Sequence, residues 1–139
     1  VCVAAAGCRT GKLRLGVYCF AAMEWLCMVG YSCFPWVSEA DHLIFQNVMH
    51  LAITVLVVLL SIVSLVLIAV SARKENLRSL GIWAGICLAA MLVGAVGTNA
   101  PPQSVFGIFE RLSTMSAVVF NAVLGWYLFS GKLSTSVAQ

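Results

Sequence analysis

The chain has 139 residues, of which 62% are hydrophobic and only 9% charged, with eight Lys and Arg against five Asp and Glu. A water-soluble domain carries about 25% charge, so this composition excludes an ordinary soluble globule and places the chain in a bilayer. The net charge of +3 does not point to nucleic acid. The cations fall in short clusters, Arg9/Lys12/Arg14 and Arg73/Lys74/Arg78, at the ends of apolar runs, where they anchor one side of a membrane protein.

In chain order, residues 1–6 read as the last turns of a helix, and no initiator Met precedes them. The chain is therefore expected to be a segment of a longer membrane protein with further N-terminal helices. The first apolar segment, about 15–34, stops at Pro35. A short acidic loop follows, and Asp41-His42 is suited to cap the next helix. That helix is expected over 42–70, with a partly polar start and the strongest Leu, Val and Ile run of the chain. The third segment covers 80–97. A breaker stretch with Pro101-Pro102 then leads through Glu110-Arg111 to the fourth, at 112–129.

At about 1.5 Å per residue, each segment spans or nearly spans a hydrocarbon core roughly 30 Å thick. The second run has no internal turn signal, and none of the runs alternates in polarity as barrel strands do. A helix satisfies its own backbone hydrogen bonds in lipid. The predicted fold class is all-α, a polytopic transmembrane bundle of four spanning helices forming a single domain over 1–139.

Charge sets the expected orientation. The regions before residue 15, at 71–79 and after 129 hold Arg9, Lys12, Arg14, Arg73, Lys74, Arg78 and Lys132. The opposite loops hold Arg111 with Glu39, Asp41 and Glu110. The positive-inside rule then puts both visible ends in the cytoplasm of an inner or plasma membrane.

Four residues are candidates for chemistry. Glu24 falls mid-segment, where an ionised carboxylate costs about 2.5–3.5 kcal/mol. It is either a proton or substrate site or a neutral hydrogen-bonding group between helices. Asn121, at a matching position in the fourth segment, is its expected counterpart and belongs to a small and polar stripe, Ser113, Ala117, Asn121 and Gly125. Asn47, His50, Thr54, Val57, Ser61 and Ser64 follow the helical spacing of one seam. His50 and Arg111 fall on the less basic side. Gly81, Gly85 and Ala89 form a second small-residue stripe, in the third segment.

The six cysteines show no metal-ligand or redox spacing, and neither a metal site nor a structural disulfide is expected. His42 and His50 share one helix, which disfavours a haem held between helices. No cofactor is predicted, and no phosphate loop or nucleophile elbow occurs. The expected partners are membrane lipids, the N-terminal or other membrane helices, and a homo-oligomer or larger complex.

The order Phe34-Pro35, acidic loop, Asp41-His42 to His50, Ala72-Arg73-Lys74 and Gly107-Ile108-Phe109-Glu110-Arg111-Leu112 resembles the six-helix prokaryotic membrane proteins grouped as domain of unknown function 998. The resemblance covers nearly the whole chain and implies that it holds helices three to six of such a protein. Glu110 stands where the family has Gln, and Trp126 comes later than the family's final-helix Trp. The family has no characterised activity. The resemblance directs attention to His50 and Arg111 without giving them a role.

Three functions remain open on the residues. One is a component handling a small solute or proton through Glu24 and Asn121. The second is a non-catalytic subunit whose polar residues bind helices together. The third is an outer-face enzyme using His50 with Asp41 or Glu110 on a lipid headgroup. A non-enzymatic role is favoured.

Overall fold

The computed structural model describes residues 10–37, 44–97 and 106–133. Four helices make up the described chain: α1 (Gly11–Cys33), α2 (Phe45–Lys74), α3 (Arg78–Gly97) and α4 (Phe106–Phe129). All four are long and apolar enough to cross a membrane, so the protein is an all-α, multi-pass membrane protein. The N-terminal residues 1–9, the loop with Glu39, Asp41 and His42, the Pro101-Pro102 stretch and the tail beyond 133 lie outside the described residues.

The helices run longer than their apolar cores, because their ends are set by backbone hydrogen bonding and not by hydropathy. Thr10 starts α1: its Oγ1 accepts from the Leu13 N–H at 3.3 Å, satisfying one of the free donors of a first turn. The helix therefore starts four residues before the predicted 15 and includes Lys12 and Arg14. α2 begins at Phe45, after the expected 42, and continues through Arg73 and Lys74. These two cations complement the negative end of its dipole. Asn76, at φ 60°, reverses the chain into α3. α4 starts six residues earlier than expected and carries Glu110 and Arg111 on its first turns.

Consecutive helices pack antiparallel. On α1, a side chain at Gly16 would meet Ile68 of α2 at 2.8 Å, and one at Gly30 would meet Ile53. α3 passes its Gly81 against the Ala69 carbonyl of α2. On α4, Phe109 and Ser113 lie against Gly94 and Gly97 of α3, and Tyr127 hydrogen-bonds Ser79 near the other end. Close backbone approach of this kind is how helices gain dispersion energy in lipid, where water exclusion gives little between them.

One core joins all four helices: Leu13, Val17 and Phe20 of α1, Leu65, Ile68 and Ala72 of α2, Leu80, Ala84 and Cys87 of α3, and Phe120 and Leu124 of α4. Phe20 and Phe120 meet edge to face with centroids 5.1 Å apart, a point where the first and last helices touch. This core occupies the half of the bundle nearer the end that carries Lys12, Arg14, Arg73, Lys74, Arg78 and Lys132, hereafter the basic end. Thr10 there donates to Glu75, tying the start of α1 to the end of α2.

Two small-residue stripes pack differently from expectation. Gly85 and Ala89 are exposed, and nothing stands within 4 Å of where a Gly85 side chain would begin. The buried face of α3 is instead Gly81, Ala84, Cys87, Gly94 and Gly97. On α4, Ser113 does meet Gly94, but Asn121 and Gly125 are exposed and the inward residues are Ser116, Phe120 and Leu124. The cause is geometric. At 3.6 residues per turn a strict four-residue repeat drifts about 40° at each step, so it leaves the interface within three steps.

Candidate functional site

Glu24 stands on a stripe of α1 formed by Leu13, Val17, Phe20, Glu24, Cys27 and Tyr31, whose spacing keeps them on one side of the helix. Leu13, Val17 and Phe20 are buried. From Glu24 onward the same stripe is only half-buried, although Met23 next to it still belongs to the core. Glu24 makes no hydrogen bond or ion pair among the described residues. Beside it, Trp25 is 66% and Met28 62% exposed, with Ala21 and Ser32 on the same side of the helix.

The surroundings of Glu24 follow from helix register. One turn beyond Phe20 on α1 is Glu24, and one turn beyond Phe120 on antiparallel α4 is Ser116, which is buried. On α2, the Gly16–Ile68 and Gly30–Ile53 contacts put the level of Glu24 at Leu59 and Leu60. Ser61 and Ser116 thus stand within one helical turn of the level of Glu24. Each serine donates to its own helix, Ser61 to the Val57 carbonyl at 2.7 Å and Ser116 to the Leu112 carbonyl at 2.6 Å, which leaves the oxygens as acceptors. Asn121 is not at this level. It follows Phe120 toward the basic end and faces outward, so the structure does not bring Glu24 and Asn121 together.

His50 is held by the far end of the α1–α2 hairpin. Its Nδ1 donates to the Phe34 carbonyl at 2.8 Å, and its ring lies 4.9 Å from that of Tyr31 and 5.7 Å from that of Trp36. The Tyr31 hydroxyl donates to Thr54 Oγ1 at 3.1 Å, and Thr54 donates to the His50 carbonyl. Asn47, fully buried, accepts from the Val37 N–H at 3.1 Å. The polar seam of α2 therefore fastens the chain leaving α1, and among the described residues the polar contact of the His50 ring is a carbonyl, not a carboxylate. Arg111 and Glu110 are exposed on the first turns of α4, and neither side chain forms a hydrogen bond or ion pair with this cluster. Asp41 and Glu39 lie outside the described residues.

Two cavities bear on function. A small one of about 20 Å³ lies between α2, α3 and α4, lined by Ser61, Leu88, Met91 and Ser113 among others. A larger one of about 490 Å³ lies at the basic end, lined by Arg73, Asn76, Arg78 and Ile82. Glu24 lines neither. The sequence singled out Glu24 and His50 but not Ser116, Tyr31 or the Arg73–Arg78 cavity. Ser116 is separated from Phe120 by one turn, a signal that becomes readable only once Phe120 is known to face α1. Comparison with known proteins finds no matching family, no similar curated protein and no similar solved structure.

Proposed function

We propose that the chain is a non-catalytic helical component of a larger membrane assembly, and that the side of α1 around Glu24 receives a further transmembrane helix. The observation that supports this most is Glu24 itself, a carboxyl group on an apolar span, half-buried and without a hydrogen-bonding partner among the described residues. A polar group in hydrocarbon is stable when another helix supplies its partner. Trp25 and Met28, together on one side of it, present a large apolar surface. The occupant is a helix with a hydrogen-bond donor at the depth of Glu24, on an additional segment of the same protein or on another chain. In this reading the basic end faces the cytoplasm, as the positive-inside rule favours, and His50 holds Phe34 and Trp36 at the opposite end.

Replacing Glu24 tests the proposal. An interhelical hydrogen bond in lipid contributes about 0.6–1.7 kcal/mol, a factor of about 3 to 20 in association. After mild-detergent extraction from the host membrane, the wild-type protein should sediment as an assembly. Glu24→Leu should shift it toward the free chain, and Glu24→Gln should retain most of the association. Identical sedimentation of all three would overturn the proposal.

A second reading, proton or small-solute handling, draws on the buried Ser61 and Ser116 standing within a turn of the level of Glu24. It separates cleanly from the first. It predicts proton or solute flux in proteoliposomes that Glu24→Gln abolishes, whereas the assembly reading predicts no Glu24-dependent flux.

A further inference from the structure

The turn between α2 and α3 holds two arginines on one side of a tight reversal. Arg73 is on the last turn of α2 and Arg78 is the first residue of α3. Asn76 turns the chain between them through a left-handed conformation at φ 60°, which Asn tolerates better than most side chains. The Arg73 stem crosses toward α3, its Cγ 3.5 Å from the point where a Gly81 side chain would start. The two guanidinium groups thereby border one cavity of about 490 Å³ together with Asn76 and Ile82. That volume falls within the roughly 300–1,000 Å³ of ordinary ligand sites.

The acid of the same turn does not neutralise this cavity. Glu75 points away, toward α1, where Thr10 donates to its Oε1 and its Oε2 is buried. Neither Arg73 nor Arg78 forms an ion pair among the described residues. The cavity is thus a cationic pocket at the membrane-water boundary with one apolar wall. Ile82, 58% exposed, continues from it along α3 into the span, and Trp83 is exposed beside it.

We infer that this pocket binds the phosphate of an anionic phospholipid headgroup, with Arg73 and Arg78 on the phosphate oxygens and the first part of an acyl chain along Ile82. The planar guanidinium fork matches phosphate in a way an ammonium does not. The apolar wall leading into the span selects a lipid over a free anion. Lys74 is exposed on the same turn but does not line the cavity, so it provides an internal control for unspecific basicity. The inference does not depend on the role proposed for Glu24.

The test is lipid retention by the full chain in nanodiscs of zwitterionic lipid doped with phosphatidylglycerol, read by native mass spectrometry and by titration. Wild-type protein should retain phosphatidylglycerol saturably. Arg73→Gln or Arg78→Gln should each weaken binding roughly five-fold, the effect of one cation at an anionic membrane surface. Lys74→Gln should weaken it less than two-fold, and Arg73→Lys should fall between wild type and Arg73→Gln. Both arginines are exposed, so the variants are expected to fold, and helical circular dichroism checks this. Equal losses in Lys74→Gln and Arg73→Gln would overturn the site. Displacement of the lipid by an equal concentration of inorganic phosphate would overturn its assignment to a lipid.

Discussion

Substituting Gly94 and Gly85 with Ala tests whether the packing face of α3 is the one described. A methyl group on Gly94 would stand 2.7 Å from the Phe109 carbonyl oxygen and 2.7 Å from the Ser113 backbone nitrogen and Cβ. Ordinary contacts between such atoms are about 3.5–4.0 Å, so α3 and α4 would have to separate locally by about 1 Å. Two of the three atoms are backbone, and no rotamer change relieves them. Overpacking of this kind costs about 1–3 kcal/mol, against a gain of up to about 1 kcal/mol from replacing Gly within a helix. The net expectation for Gly94→Ala is a loss of about 1–2 kcal/mol. Gly85→Ala meets open space and should be neutral or stabilising by up to about 1 kcal/mol. Reversible unfolding in mixed micelles, followed by circular dichroism, measures both. A Gly85→Ala loss equal to or larger than that of Gly94→Ala would refute the packing face and restore the Gly81/Gly85/Ala89 stripe.

The remaining predictions concern the contact between α1 and α4 and the orientation of the bundle. Phe20→Ala and Phe120→Ala should each destabilise by about 3–5 kcal/mol. Their double-mutant cycle should show a coupling of about 0.5–1.5 kcal/mol from the edge-to-face pair, and additive losses would show that α1 and α4 do not meet there. Cys33 is exposed at the end of α1 opposite the basic end. In a variant keeping only that cysteine, a membrane-impermeant maleimide added to intact cells should label it. Labelling only after permeabilisation would reverse the proposed orientation.

The existence and type of the four helices were legible in the apolar runs, because in lipid each helix satisfies its backbone internally and needs no tertiary context. Their ends were less so. Thr10 capping α1 and the early start of α4 at Phe106 depend on hydrogen bonding and on a turn through charged residues that hydropathy alone reads as loop. Facing was harder still. The seam from Asn47 to Ser64 was readable because its mixed three- and four-residue steps follow the true helical repeat. The Ser113-to-Gly125 and Gly81-to-Ala89 stripes misled because steps of four drift away from it.

Glu24 was conspicuous in sequence because carboxylates are rare in spans, yet Asn121 was the wrong counterpart by position. Counting from the ends of the apolar runs pairs Glu24 with Asn121, whereas the Phe20–Phe120 contact sets the register between α1 and α4 and puts Ser116 one turn beyond it, as Glu24 is. The cationic cavity could not be read from Arg73 and Arg78 alone. It depends on Asn76 reversing the chain and on Thr10 drawing Glu75 aside.

The central claim is that another transmembrane helix covers the Glu24 side of α1, and site-specific photocrosslinking in the native membrane tests it most directly. A photoreactive amino acid at Met28, one turn from Glu24, should crosslink to a peptide from an apolar segment carrying a hydrogen-bond donor, and Glu24→Leu should reduce that adduct about 3- to 20-fold. The same probe at Ile86, exposed on α3, serves as the lipid-facing reference. Lipid adducts alone at Met28, matching those at Ile86 and unchanged by Glu24→Leu, would contradict the account.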